Sequence, residues 1–71
     1  MNEETTRHDI RRLLKTFGVQ ADEAITRYLE QIPGDFPLRL RITLEDLTDY
    51  GPNPPTVPLR LIVEGEIHRT P

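Results

Sequence analysis

The sequence predicts an α+β fold in the order ααββ: two N-terminal helices packed on a two-stranded antiparallel β-hairpin. Three observations carry this expectation. Apolar residues recur at helical spacing over residues 10–17 and again over 25–32. Two later segments, Leu38 to Glu45 and Leu59 to His68, alternate apolar and polar residues. Glycine and proline punctuate the boundaries between these segments.

Residues 1–5 precede the first periodic stretch and are expected to fray. Thr6 followed by Asp9 resembles a capping box. Ile10, Leu13, Leu14 and Phe17 then fall at i, i+3, i+4 and i+7, one face of a helix. Gly18 is a natural stop, because it accepts the left-handed conformation that many helix C-termini need. A second helix is expected from the repeat of that spacing in Ile25, Tyr28, Leu29 and Ile32. Asp22 and Glu23 oppose the positive end of its dipole. Glu23 and Arg27 stand four apart in the favourable order, and Pro33-Gly34 ends the helix.

The hairpin follows. Side chains change face at every strand residue. Leu38, Leu40, Ile42 and Leu44 therefore share a face of the first strand. Leu59, Leu61, Val63, Gly65 and Ile67 share a face of the second. One antiparallel register places Glu45 opposite Arg60, Arg41 opposite Glu64 and Arg39 opposite Glu66, with Ile42 facing Val63. All three charged pairs are opposite in sign, and each contributes roughly 0.2–1 kcal/mol. A one-residue slip would turn every apolar side chain to the wrong face. Gly65 on the apolar face predicts a close approach by a helix, through the ring of Phe17 or Tyr28. The connection at 48–58 holds Gly51, Pro52, Pro54, Pro55 and Pro58; it is too long for a tight turn and reads as a stiff spacer.

Seventy-one residues are read as a single small domain, 1–71. A chain of this size buries only about 60% of the surface its unfolded form exposes. It has no cysteine, so it has neither a disulfide nor a thiolate zinc site. No apolar run is long enough to span a bilayer, and the acidic start Met1-Asn2-Glu3-Glu4 is no secretory signal. A soluble cytoplasmic protein with no membrane partner is expected. Nine basic against twelve acidic residues give a net charge of −3, which argues against a dedicated nucleic-acid binder.

Four groups of residues could carry chemistry. His8, Arg11, Arg12 and Lys15 lie opposite the apolar stripe of the first helix. Arg11, Arg12 and Lys15 are the candidate contact for an acidic partner, although a solvated face needs the same residues and no aromatic is interleaved to stack bases. Asp35, Glu45, Asp46 and Asp49 could offer oxygen ligands to a cation, but their spacing fits no calcium loop. Acids in turns ordinarily accept backbone hydrogen bonds. His8 and His68, at opposite ends of the chain, make no metal site. The loop from Pro52 to Pro58 contains P-x-x-P spacings, but it is tethered at both ends. With neither serine nor cysteine, no catalytic residue, metal or cofactor is expected, and the chain is not read as an enzyme.

Met1-Asn2-Glu3-Glu4, Ile10-Arg11, Leu14-Lys15, Gly18-Val19 and Val63-Glu64-Gly65-Glu66-Ile67 together resemble a family of short uncharacterised bacterial proteins, a domain of unknown function. The resemblance implies a helix–helix–strand–strand order and a bacterial origin, and it supplies no activity, ligand or catalytic residue. The chain departs from it in the proline-rich loop and the second helix. A lone hairpin is marginal and has free edges. The functional expectation is therefore a non-catalytic protein-interaction or regulatory module, a homodimer or a partner of another protein. The alternative is a weak nucleic-acid or acidic-partner binder using Arg11, Arg12 and Lys15.

Overall fold

A computed structural model describes residues 2–69. It contains α1 (Glu3–Gln31), β1 (Leu38–Glu45) and β2 (Arg60–Ile67). The chain divides into two compact units, Met1–Gly34 and Asp35–Pro71.

The first unit holds one helix, not two, so the ααββ order is corrected to αββ within the α+β class. The reason lies in the phase of the apolar residues. Ile10, Leu14, Phe17, Ala21, Ile25, Tyr28 and Ile32 step by three or four without interruption. The two stripes read separately are one stripe, joined through Ala21. Gly18 costs about 1 kcal/mol in a helix interior, which is too little to break 29 residues in register. Its φ is not positive; the positive-φ residues are Gly34 and Gly51.

The helix also begins earlier than the Thr6–Asp9 pattern predicts. Asn2 is the N-cap, and its side-chain oxygen accepts from the Glu4 N–H at 2.9 Å. The Asn2 carbonyl accepts the Thr6 N–H at 3.1 Å. Asparagine is among the best residues at this position, and Glu3 and Glu4 place negative charge at the positive end of the dipole. The expected frayed start therefore gives way to helix from Glu3, while Met1 lies outside the described residues. At the other end the Ile32 N–H donates to the Tyr28 carbonyl at 3.2 Å. Pro33 and Gly34, the latter at φ 97, stop the helix as expected.

In the second unit the expected register holds. Arg39 pairs with Glu66, Arg41 with Glu64, Ile42 with Val63 and Glu45 with Arg60. β1 spans the predicted residues, and β2 is one residue shorter at each end than Leu59 to His68. Gly65 faces Leu40, and a Cβ built there would meet nothing within 4 Å. Within the hairpin unit, therefore, nothing crowds this glycine. No described residue is fully buried; Ala21, Ile25, Leu29 and Ile32 of the helical unit and Leu38 and Leu40 of β1 are half-buried.

Candidate functional site

On a helical wheel, at about 100° per residue, His8, Arg11, Arg12 and Lys15 share the sector opposite Ile10, Leu14 and Phe17. The continuous helix brings Asp22, Glu23, Thr26 and Glu30 onto the same outer sector. Residues 7–15 carry four basic side chains against one acid, and residues 22–30 carry three acids against one arginine. Residues 16–21 carry no charge. After the acidic first turn at Glu3 and Glu4, the helix thus runs from a basic to an uncharged to an acidic stretch.

Little inside the helix neutralises this arrangement. The Thr26 hydroxyl donates to the Asp22 carboxylate at 3.2 Å. Among the described residues no ion pair joins two helix side chains. Arg11, Arg12 and Lys15 are all exposed. The sequence reading found the basic half and missed the acidic one. Splitting the chain at Gly18 had assigned the two halves to different helices, whereas the charge order along a continuous helix would have revealed it.

The hairpin is arranged differently. The Arg41 guanidinium meets the Glu64 carboxylate at 2.9 Å, with Nε donating at 3.0 Å. Arg39 lies 4.0 Å from Glu66, whose other oxygen is 3.8 Å from His68 Nε2. These residues border an open hollow of about 460 Å³ over Leu40 and Gly65. Its charged rim is already occupied by its own opposite charges.

The connection between the strands has internal order. Asp46 accepts the Thr48 N–H at 2.9 Å and the Tyr50 hydroxyl. Asp49 accepts the Gly51 N–H at 2.8 Å, and the Asn53 N–H donates to the Tyr50 carbonyl at 3.4 Å. Hydrogen bonding from the Thr48 side chain, then from Tyr50, then from the Thr48 N–H holds the Asp46 carboxyl below its usual range. The same bond to Asp46 raises the Tyr50 hydroxyl. Asp46 and Asp49 thus act as turn acceptors, the role expected of acids in such segments. Asp35 and Glu45 do not join them in a cluster that could hold a cation, among the described residues. Sequence reasoning missed Tyr50; an aspartate four residues before a tyrosine in an irregular segment has no periodic signature.

Among the described residues no helix is long and apolar enough to cross a membrane. No curated protein and no solved structure matches the chain. Residues 1–70 match a family of unknown function, DUF6494, and the chain belongs to that family.

Proposed function

We propose that the chain is a non-catalytic protein-interaction module of the bacterial cytoplasm that works as a homodimer. The observation that carries this reading is the exposure of large apolar side chains on every element. Leu13 is 62% exposed and Phe17 46%; Leu61 is 53% exposed and Val63 50%. Scattered exposed apolar residues are ordinary, but rows of them, such as Ile10, Leu13, Leu14 and Phe17 on α1 and Leu61, Val63 and Ile67 on β2, are not. Contiguous patches of this kind mark surfaces that another chain covers. Covering them also supplies stability that a chain of this size lacks alone.

The residue types present support the non-catalytic reading. The chain has neither serine nor cysteine, and its two histidines stand 60 positions apart. The test is sedimentation equilibrium over a concentration series. A dimer is expected, with dissociation on dilution; a monomer at high micromolar concentration overturns the reading.

Arg11, Arg12 and Lys15 support a second reading, an acidic partner, because no ion pair within the helix engages them. If that partner is nucleic acid, duplex binding weakens steeply with salt and is lost when the three become alanine. Binding indifferent to both removes it.

A further inference from the structure

We infer that β1 pairs along its outer edge with β1 of a second copy, antiparallel and centred on Ile42, to give a four-stranded sheet. This rests on the homodimer reading and specifies its interface.

The call for a neighbour comes from the backbone. Each strand bonds on one side only, which leaves a row of donors and acceptors that readily takes another strand. Among the described residues, the backbone hydrogen bonds outside the elements lie at the two ends of α1 and between Asn53 and Tyr50. None of them reaches a strand edge. α1 cannot serve as the missing neighbour, because a helix bonds its backbone groups to itself. The strands among the described residues are β1 and β2, so another strand of this protein is a strand of another copy.

Charge selects β1 and its register. Laid parallel and in register, β1 sets arginine on arginine at Arg39 and Arg41. Antiparallel registers that keep the apolar residues on one face are centred on single residues. A centre at Leu40 sets Arg39 against Arg41, and a centre at Arg41 sets that arginine against itself. A centre at Ile42 brings no like charges together. Arg39 then faces Glu45 of the partner subunit, twice by symmetry, while Leu40 faces Leu44 of the partner subunit and Ile42 faces its own copy. A centre at Thr43 pairs two residues fewer and draws on Arg41, which already holds Glu64 at 2.9 Å.

The two charges that the Ile42 register joins are the ones the hairpin leaves available. Glu45 stands opposite Arg60, yet among the described residues no ion pair engages it. Arg39 approaches Glu66 only to 4.0 Å and its side chain is 82% exposed, and a guanidinium has donors for a second carboxylate. β2 is the poorer edge: centred on Val63 it sets Leu61 against Gly65, with no side chain to pack. Pairing β1 with β2 of the next copy does not close and gives a filament, whereas the β1 pair is two-fold and ends at two copies.

The experiment uses the full chain with two variants, Arg39→Glu and Glu45→Arg. Each alone sets like charges together at both ends of the interface and is expected to weaken self-association roughly tenfold by sedimentation. An equimolar mixture sets glutamate against arginine at both ends and is expected to recover wild-type association as a heterodimer. Any effect inside one hairpin is the same mixed or unmixed, so recovery on mixing reads the interface. No loss in the single variants, or no recovery in the mixture, overturns the inference.

Hydrogen exchange on the wild type is the second arm. Alternate amides of β1 are expected to slow at least about tenfold as the protein is concentrated, and those of β2 to stay unchanged. A dimer without that protection in β1 overturns the inference and leaves the homodimer reading standing. So does assembly that grows beyond two copies without a plateau. A monomeric wild type overturns both.

Discussion

In the hairpin Arg41 reaches Glu64 at 2.9 Å, and Arg39 stands 4.0 Å from Glu66. In α1 basic residues predominate over 7–15 and acidic residues over 22–30, with an uncharged stretch between and Glu3 and Glu4 ahead of both. Both elements are amphipathic and both carry exposed large apolar side chains. They differ in where the opposite charge is found. Sheet neighbours come from distant parts of the chain, so cross-strand pairing can match charges within one molecule. Helix neighbours are three or four residues away, and Arg7, Arg11 and Lys15, which follow one another at four-residue steps, carry like charge. Such pairs destabilise an isolated helix by a few tenths of a kcal/mol each. The difference teaches that the hairpin settles its charges internally, whereas among the described residues no ion pair joins two helix side chains.

Three measurements break or sharpen this comparison. The largest effect belongs to the glycines. Gly18→Pro costs about 3 kcal/mol or more if the helix is continuous, read as a large loss of far-UV helical signal. An unchanged signal would reinstate a break at residue 18. In conditions where the chain is monomeric, Gly18→Ala is expected to add about 0.5–1 kcal/mol. Gly51 sits at φ +64, so Gly51→Ala carries the opposite sign and costs about 1–2 kcal/mol by urea denaturation. Equal signs at the two positions would refute their different backbone roles.

Smaller is the Arg41–Glu64 coupling. Both side chains are more than half exposed, so solvent screening holds the pair within about 0.2–1 kcal/mol, at the lower end of that range. A double-mutant cycle with alanine measures it, and the coupling shrinks at high salt. No coupling at low salt would remove the claim that the hairpin balances its own charge.

Smallest is the titration of the strand connection. The Asp46 pKa is lowered from 3.8 by its hydrogen bonds to the Thr48 side chain and Tyr50. A depressed folded pKa means that this contribution is present above 3.8 and is lost as pH falls through the folded value. The Tyr50 pKa is raised above 10.0, chiefly by Asp46, so its share is present below 10.0 and is lost as pH rises through the folded value. A carboxyl titration followed by NMR should place the Asp46 midpoint below 3.8 and show Tyr50 resonances that move with it. A midpoint at or above 3.8 would contradict the hydrogen-bonded turn.

The hairpin was legible residue by residue because two local signals agree there. Alternation assigns the faces, and the signs of Arg39, Arg41, Glu64 and Glu66 select the register. The helix was legible only in halves. Gly18 is compatible with both a stop and a passage, and local chemistry does not choose between them. Phase does, through Phe17, Ala21 and Ile25, but alanine is a weak apolar marker and the join is easily overlooked. The start was misplaced for a similar reason: Thr6 and Asp9 imitate a cap, while Asn2 provides one. Arg11, Arg12 and Lys15 were visible as an outer face. Their complement in Asp22, Glu23 and Glu30 depended on the helix being whole. Periodicity says nothing about irregular segments, so the Asp46–Tyr50 contact had no trace in the pattern.

The charged pairs of the hairpin have one more consequence. Each strand has a single neighbour, so each shows an outward row of backbone donors and acceptors. Leu38 to Leu44 combines strong β-propensity with a fully apolar alternate face, and only Arg39 and Arg41 interrupt it. A segment of that kind without charge stacks readily into cross-β fibrils. The two arginines act as gatekeepers, because adding an identical strand in register brings like charges together. Neutralising them would remove that repulsion together with the charge signal for the register, opening a route to filament growth.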